Sequence, residues 1–325
     1  MDLLAQVAAP IRLSQAIRAT VAYADVFDFP LDRIEIHRDL IRIAASPADV
    51  DSAIDALLEA QLLVADGPFV GLPGRSGLAA LRCERHQNSA QLWPLARRYG
   101  RLIGAIPFVR MVAVTGSLAA DNPDAAADLD YLIVTAPGRL WTARALTIGL
   151  VRLARRAGRR VCPNYLLSTR ALALEHDDLY TAHELVQAIP ITGAEIYYTR
   201  LRLANRWLDR WLPNRLPTIG GGEPVPPTWS AVRQTAEIAL GGGIGARIER
   251  WEGGRKRARL AGAIASAQFT PDVCEGYGGT TRRRVLQEFD RRCAALGLAN
   301  PAAGAAVRWA EPADGYSREI GRSGG

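Results

Sequence analysis

Between Met111 and Thr135 the chain reads MVAVTGSLAADNPDAAADLDYLIVT. One apolar run stops at Gly116-Ser117, and a second opens on Asp128-Leu129-Asp130. Short β-branched runs bounded by turn residues read as buried strands, here over 108–115 and 128–135. Strand residues alternate between faces, so Asp128 and Asp130 share one face while Leu129, Tyr131 and Ile133 take the other. Two carboxylates held this close repel unless a cation sits between them or one keeps its proton. The strand must therefore bury one side and open the other onto a site.

Oxygen ligands on a short rigid strand suit Mg²⁺, which usually takes one or two carboxylates plus substrate phosphates. Gly116-Ser117 follows a strand and opens a short helix at Leu118. Its backbone N–H groups and the Ser117 hydroxyl can hold phosphate oxygens. After the Pro137-Gly138 turn, an amphipathic helix is predicted over 139–157, with Ala143, Leu146, Leu150 and Leu153 on one side. RRVCPNYLLS (159–168) is a third strand, and Pro163 marks it as an edge strand or a bulged one.

Gly116-Ser117, ten intervening residues and Asp128-Leu129-Asp130-Tyr131 resemble the signature of the DNA polymerase β-like nucleotidyltransferase superfamily. The likeness is carried by about 60 residues, Phe108 to Ser168. It implies that Asp128 and Asp130 bind Mg²⁺ or Mn²⁺ and that Gly116 and Ser117 hold the phosphates of a nucleoside triphosphate. It also implies a third acidic residue on a neighbouring strand. The matching inward position here is Asn164, which is neutral, leaving the site one charge short. Glu184 on the following helix is the candidate general base in its place, with Asp177 and Asp178 behind it. The implied reaction moves a nucleoside monophosphate onto a hydroxyl acceptor (a small molecule, a protein or an RNA) and releases pyrophosphate. Asn164 keeps a second reading open, in which a catalytically weakened relative senses nucleotide or binds protein.

Residues 12–75 read as three helices and a hairpin, the outline of a winged helix. Ser46, Pro47 and Asp49 suit the start of the third helix, and Val50, Ile54, Leu57 and Leu58 form its stripe. Asp66-Gly67 within LLVADGPFVGL signals the hairpin. A winged helix acting as a DNA-binding regulator is a third reading. The polar face of its third helix carries Asp49, Asp51, Ser52, Asp55 and Glu59, which would repel phosphates, so sequence-specific DNA is not expected as a partner.

The expected fold class is α+β: a small mixed sheet with a winged-helix-like unit before it and a helical region after it. By pattern the winged-helix-like unit covers 1–75, and the core with its helical connector covers 76–178. Helices packed on the core follow over 179–211, starting with YTAHELVQAI, which Pro190 stops. Then come a linker or long loop (212–228), a C-terminal helical region (229–300) and a frayed tail (301–325). GGGIGARIE (241–249) fits a dinucleotide-binding fingerprint at Gly241, Gly243 and Ala246. RQTAEIAL before it reads helical and no acid follows at the required distance, so a Gly-rich helix break is the better account.

The net charge of +7 points toward anionic partners such as nucleotides. Of 40 basic residues only Lys256 is lysine, a bias that fits a GC-rich genome better than a nucleic-acid surface. Cys83, Cys162, Cys274 and Cys293 form no C-x-x-C pair, and the four histidines have no metal-ligand spacing. No stretch nears the roughly 18 apolar residues of a spanning helix. With no secretory pattern at the start, a cytoplasmic chain without a membrane partner is expected.

Overall fold

The structure, a computed structural model, describes residues 3–216, 227–261, 268–275 and 278–302. The chain opens with α1 (Leu3–Asp25), α2 (Arg33–Arg38) and α3 (Pro47–Glu59), then a hairpin of β1 (Val64–Asp66) and β2 (Phe69–Gly71). Asp32 and Glu35 form a reciprocal capping box at the start of α2. Ser46 accepts from the Asp49 amide to start α3. Val50, Ile54 and Leu57 are buried, so the stripe read from the sequence is the packing face. Asp49, Asp51, Asp55 and Glu59 point to solvent, where Arg33 bonds Asp55 at 2.5 Å.

α4 (Leu78–Gly104) leads into β3 (Val109–Thr115), the single turn α5 (Gly116–Ala119), β4 (Leu129–Thr135), α6 (Leu140–Arg156) and β5 (Val161–Ser168). Next come α7 (Leu179–Gln187), β6 (Ile189–Thr192), a π-helical turn over Ala194–Tyr198, α8 (Thr199–Ala204) and α9 (Leu208–Trp211). The last described elements are α10 (Pro227–Gly241), α11 (Gly243–Ala261), β7 (Val273–Glu275) and α12 (Gly278–Ala295).

The fold is mixed α/β. Its larger sheet has the order β6-β3-β4-β5-β7, with β4 and β5 parallel and the other pairs antiparallel. The parallel pair needs a crossover, and α6 supplies it. Both sheet faces are covered. Val112, Val114, Leu129, Tyr131 and Ile133 pack with Ala96 and Ile103 of α4 and with Leu140 and Ala143 of α6. Met111, Ala113, Leu132, Val134 and Leu167 belong to one apolar cluster with Ile17, Ile36 and Ile54 of the first three helices, Leu185 of α7 and Phe289 of α12. Asp128 and Asp130 share parity with Leu132, so they open toward this second layer.

Several expectations are corrected. β6 and β7 come from stretches read as helical or as a helix stop. Pro190 lies inside β6, an edge strand, where a missing N–H is tolerated. Pro163 lies in β5 between β4 and β7, so β5 is interior and carries the bulge. Tyr131 pairs with Pro163 and Leu132 with Tyr165, leaving Asn164 between them. In α6 the buried side is Leu140, Ala143, Thr147 and Ala154, while Leu146 and Leu153 are 43% and 59% exposed. Small side chains let the helix approach its neighbours closely, and the bulky leucines turn outward.

GGGIGARIE joins α10 to α11 and follows a helix, as a helix break does. Of the expected linker, 217–226 lie outside the described residues, and 227–228 open α10. Of the tail, 303–325 lie outside them as well. Among the described residues no helix is long and apolar enough to cross a membrane.

Candidate functional site

The β3–β4 register sets the site. Thr115 pairs with Asp130, so the turn after β3 passes directly over that carboxylate. Gly116 has φ +67°, and a Cβ built on it would meet Asp130 Oδ2 at 2.5 Å. The turn therefore requires glycine twice, for the left-handed backbone and for the close approach. Ser117 follows at the start of α5.

Gly116, Ser117, Asp128, Asp130, Asn164 and Glu184, all named from the sequence, line one cavity of about 610 Å³. α7 brings in Glu184. Its first turn is held by Asp178, which accepts from the Thr181 amide at 2.9 Å and from Arg282 of α12 at 2.6 Å. Asp177 accepts from the Trp211 indole at 2.8 Å and pairs with Arg210. Both aspartates are thus engaged in holding structure, and neither lines the cavity.

Burial pushes Asp130 up to about 6; the nearby Asp128 charge adds to this, and the Cys162 thiol opposes it. Glu184 rises to about 7, from burial first and then from Asp130, with the Tyr180 hydroxyl opposing. Arg160 Nε lies 2.6 Å from Asp128 Oδ1 but off the hydrogen-bonding direction, and that buried oxygen has no hydrogen-bond partner. Among the described residues neither Asp130 nor Glu184 makes an ion pair. Asp128, Asp130 and Glu184 share a cavity also lined by Arg38, Arg215 and Arg284, and a cation between the two aspartates would relieve their mutual repulsion.

The third-acid expectation changes position. Cys162, not Asn164, is the β5 residue paired with Asp130, and Asn164 reaches the cavity from the bulge. Cys162 is pushed up to about 12 by burial and by Asp130, so it is a neutral thiol. Among the described residues no group of three or more His, Cys, Asp and Glu converges as a metal-ligand set.

Sequence reasoning missed the opposite wall. Tyr23 of α1, Arg38 of α2 and Asp39 just after it line the cavity together with His183, Arg215 and Arg284. His183 stacks on Tyr23 with ring centroids 4.4 Å apart. Burial lowers it to about 4, so it is neutral at pH 7. Asp39 joins Arg38 at 2.7 Å and also binds Arg215. No local pattern marks these residues, because the site forms only where the first helices close over the sheet.

Comparison with protein-family models, curated proteins and solved structures gives no match.

Proposed function

We propose that the chain is a divalent-metal-dependent nucleotidyltransferase of the polymerase β-like kind, with a winged-helix-like unit forming one wall of its cavity. The observation that carries this reading is the glycine turn pressed against Asp130, with Asp128 beside it and Glu184 across the same cavity. An ordinary strand start does not need two same-face acids under a left-handed Gly-Ser turn.

Asp128 and Asp130 fit Mg²⁺ or Mn²⁺ as the residues that would hold it. They supply two carboxylates, which is what Mg²⁺ takes from protein when substrate phosphates complete its shell, and buried Asp128 Oδ1 accepts no hydrogen bond, with Arg160 beside it at 2.6 Å. A bound divalent cation would neutralise charge on the attacking and leaving oxygens of an in-line displacement. The chain's own groups do the rest. The Gly116-Ser117 turn cradles the β- and γ-phosphates of a nucleoside triphosphate. Glu184, poised near pH 7, accepts the proton of an acceptor hydroxyl as that oxygen attacks the α-phosphorus. The new ester forms as the bond to pyrophosphate breaks.

One observation favours a second reading, the catalytically weakened nucleotide-sensing or protein-binding module. With Cys162 opposite Asp130 and Asn164 in a bulge, β5 offers no third acid. A winged-helix DNA regulator has less support, because the exposed face of α3 is acidic and the unit's inner wall is occupied by the cavity.

Incubation with each labelled nucleoside triphosphate and Mg²⁺ or Mn²⁺ tests this, scoring pyrophosphate release and self-labelling. Turnover that disappears in Asp130→Asn supports the enzyme. Metal-dependent binding without turnover moves the sensing module to first place. Absence of metal-dependent nucleotide binding sinks the enzyme and the nucleotide-sensing module, leaving only the protein-binding form of the second reading.

A further inference from the structure

α11 packs with its acids inward and its apolar stripe outward. Glu249 is buried and accepts from the Trp141 and Thr142 amides at 2.9 and 2.7 Å, capping α6. Glu252 is buried and holds Arg255 at 2.6 Å. Gly253 abuts Trp141, whose Cδ1 would lie 2.9 Å from an added Cβ. The outer face carries Ile244, Ile248 and Trp251, which are 70%, 38% and 66% exposed. Their i, i+4, i+7 spacing makes one stripe. Arg255 extends it, with its guanidinium 5.0 Å over the Trp251 ring.

The adjoining helices also expose apolar and basic side chains. Arg247 and Arg250 flank the stripe in solvent. Neighbouring α10 adds Val232 and Ile238, 62% and 76% exposed. Neighbouring α6 adds Leu146, Leu153 and the exposed Arg152, Arg155 and Arg156. The described parts of these three helices hold three carboxylates, all engaged. Besides Glu249 and Glu252 there is Glu237, bound by Arg110 at 2.7 Å and by the Phe108 amide. An arginine-rich composition explains the cations. It does not explain acids turned inward beneath isoleucines turned out.

We propose that α11 docks on an anionic lipid bilayer surface through its Ile244, Ile248 and Trp251 stripe, lying in the headgroup region. Such a surface satisfies both halves of the face. Apolar side chains and tryptophan enter the interface while arginines meet anionic headgroups. A second copy would set Arg247 and Arg250 against their own counterparts with no free carboxylate between them. Nucleic acid would engage the arginines and leave the isoleucines without a partner. A helical peptide needs a groove, and the stripe does not line the 610 Å³ cavity. This proposal stands apart from the nucleotidyltransferase reading.

The test is flotation of the full chain with phosphatidylcholine vesicles and with the same vesicles containing phosphatidylserine. Binding only to the anionic vesicles, weakened by salt, is expected. Arg247→Gln with Arg250→Gln should lower partition about 25-fold, about fivefold per arginine. Ile244→Ser with Trp251→Ser should also lower it at unchanged melting temperature, because both side chains are exposed. Failure to bind anionic vesicles overturns the proposal, as does binding that the stripe variants leave unchanged. So does a dimer that the stripe variants dissociate, or nucleic acid that outcompetes the vesicles at physiological salt.

Discussion

Gly116 and Asp130 occupy space that permits no side chain between them: a Cβ on the glycine would come within 2.5 Å of Asp130 Oδ2. A turn that close to a carboxylate is costly to build, and it brings backbone N–H groups and acid oxygens onto one side of a cavity. In the proposed site, phosphate held by the former would meet a cation held by the latter. The contact is thus the smallest unit that distinguishes the proposed site from a plain β-turn.

Gly116→Ala should cost about 1–2 kcal/mol through the left-handed backbone alone. Displacement of Asp130 should lower metal-dependent nucleotide affinity further. The two effects separate in a cycle with Asp130→Ala. Removing the carboxylate should return the contact part of the stability loss and leave the backbone part. Denaturant unfolding of the four proteins checks this, and strictly additive values would mean that the contact carries no energy.

Glu184→Gln tests chemistry against binding. It should remove turnover while leaving nucleotide binding nearly intact. Its stability effect has a defined sign. A carboxyl raised from 4.5 to about 7 holds more protons folded than unfolded, so its contribution is full below about pH 4.5 and lost as pH rises through about 7. The glutamine variant should therefore be more stable than wild type at pH 8, by on the order of 2 kcal/mol, and little different at pH 4. Equal stability differences at both pH values would show that Glu184 is not held protonated by its surroundings.

Duplex DNA should bind the whole chain only as its basic charge dictates. With Asp49, Asp51, Asp55 and Glu59 exposed on α3, retention should collapse between low and physiological salt and show no sequence preference. A preferred sequence that survives competitor DNA at physiological salt would restore the regulator reading.

The parts of the site that were legible in the sequence are those fixed by local geometry. Asp128 and Asp130 share a face because strands alternate, and Gly116 is forced by a turn whose chemistry is written in two residues. Glu184 was reached through the resemblance, and the structure brings it into the same cavity. What stayed hidden depends on register and on packing across long sequence separations. One bulge after Pro163 leaves Cys162 opposite Asp130 and displaces Asn164; Pro163 signals an edge strand or a bulge, but not which, nor the register that results. β7 is three residues long and lies 105 positions after the end of β5, counted from Ser168 to Val273, so periodicity had little to detect. Tyr23 and His183 meet across 160 positions for the same reason.

The register also changes which β5 position a third acid would take in the proposed site. If the site binds a divalent cation between the aspartates and a triphosphate, the position beside Asp130 on β5 is where another carboxylate would add most charge. That position is Cys162, now a neutral thiol. Cys162→Asp should raise Mn²⁺ affinity about tenfold, because charge count tunes affinity in oxygen-ligand sites. In the metal-free protein the same change should lower stability by about 1 kcal/mol or more, since a third like charge joins Asp128 and Asp130. Asn164→Asp should do less on both counts, because the bulge leaves that residue without a partner on β4. Titration of Mn²⁺ by electron paramagnetic resonance, beside metal-free melting curves, ranks the two variants. If Asn164→Asp gives the larger gain, the third-acid position lies in the bulge and the β4–β5 register is not what organises the site.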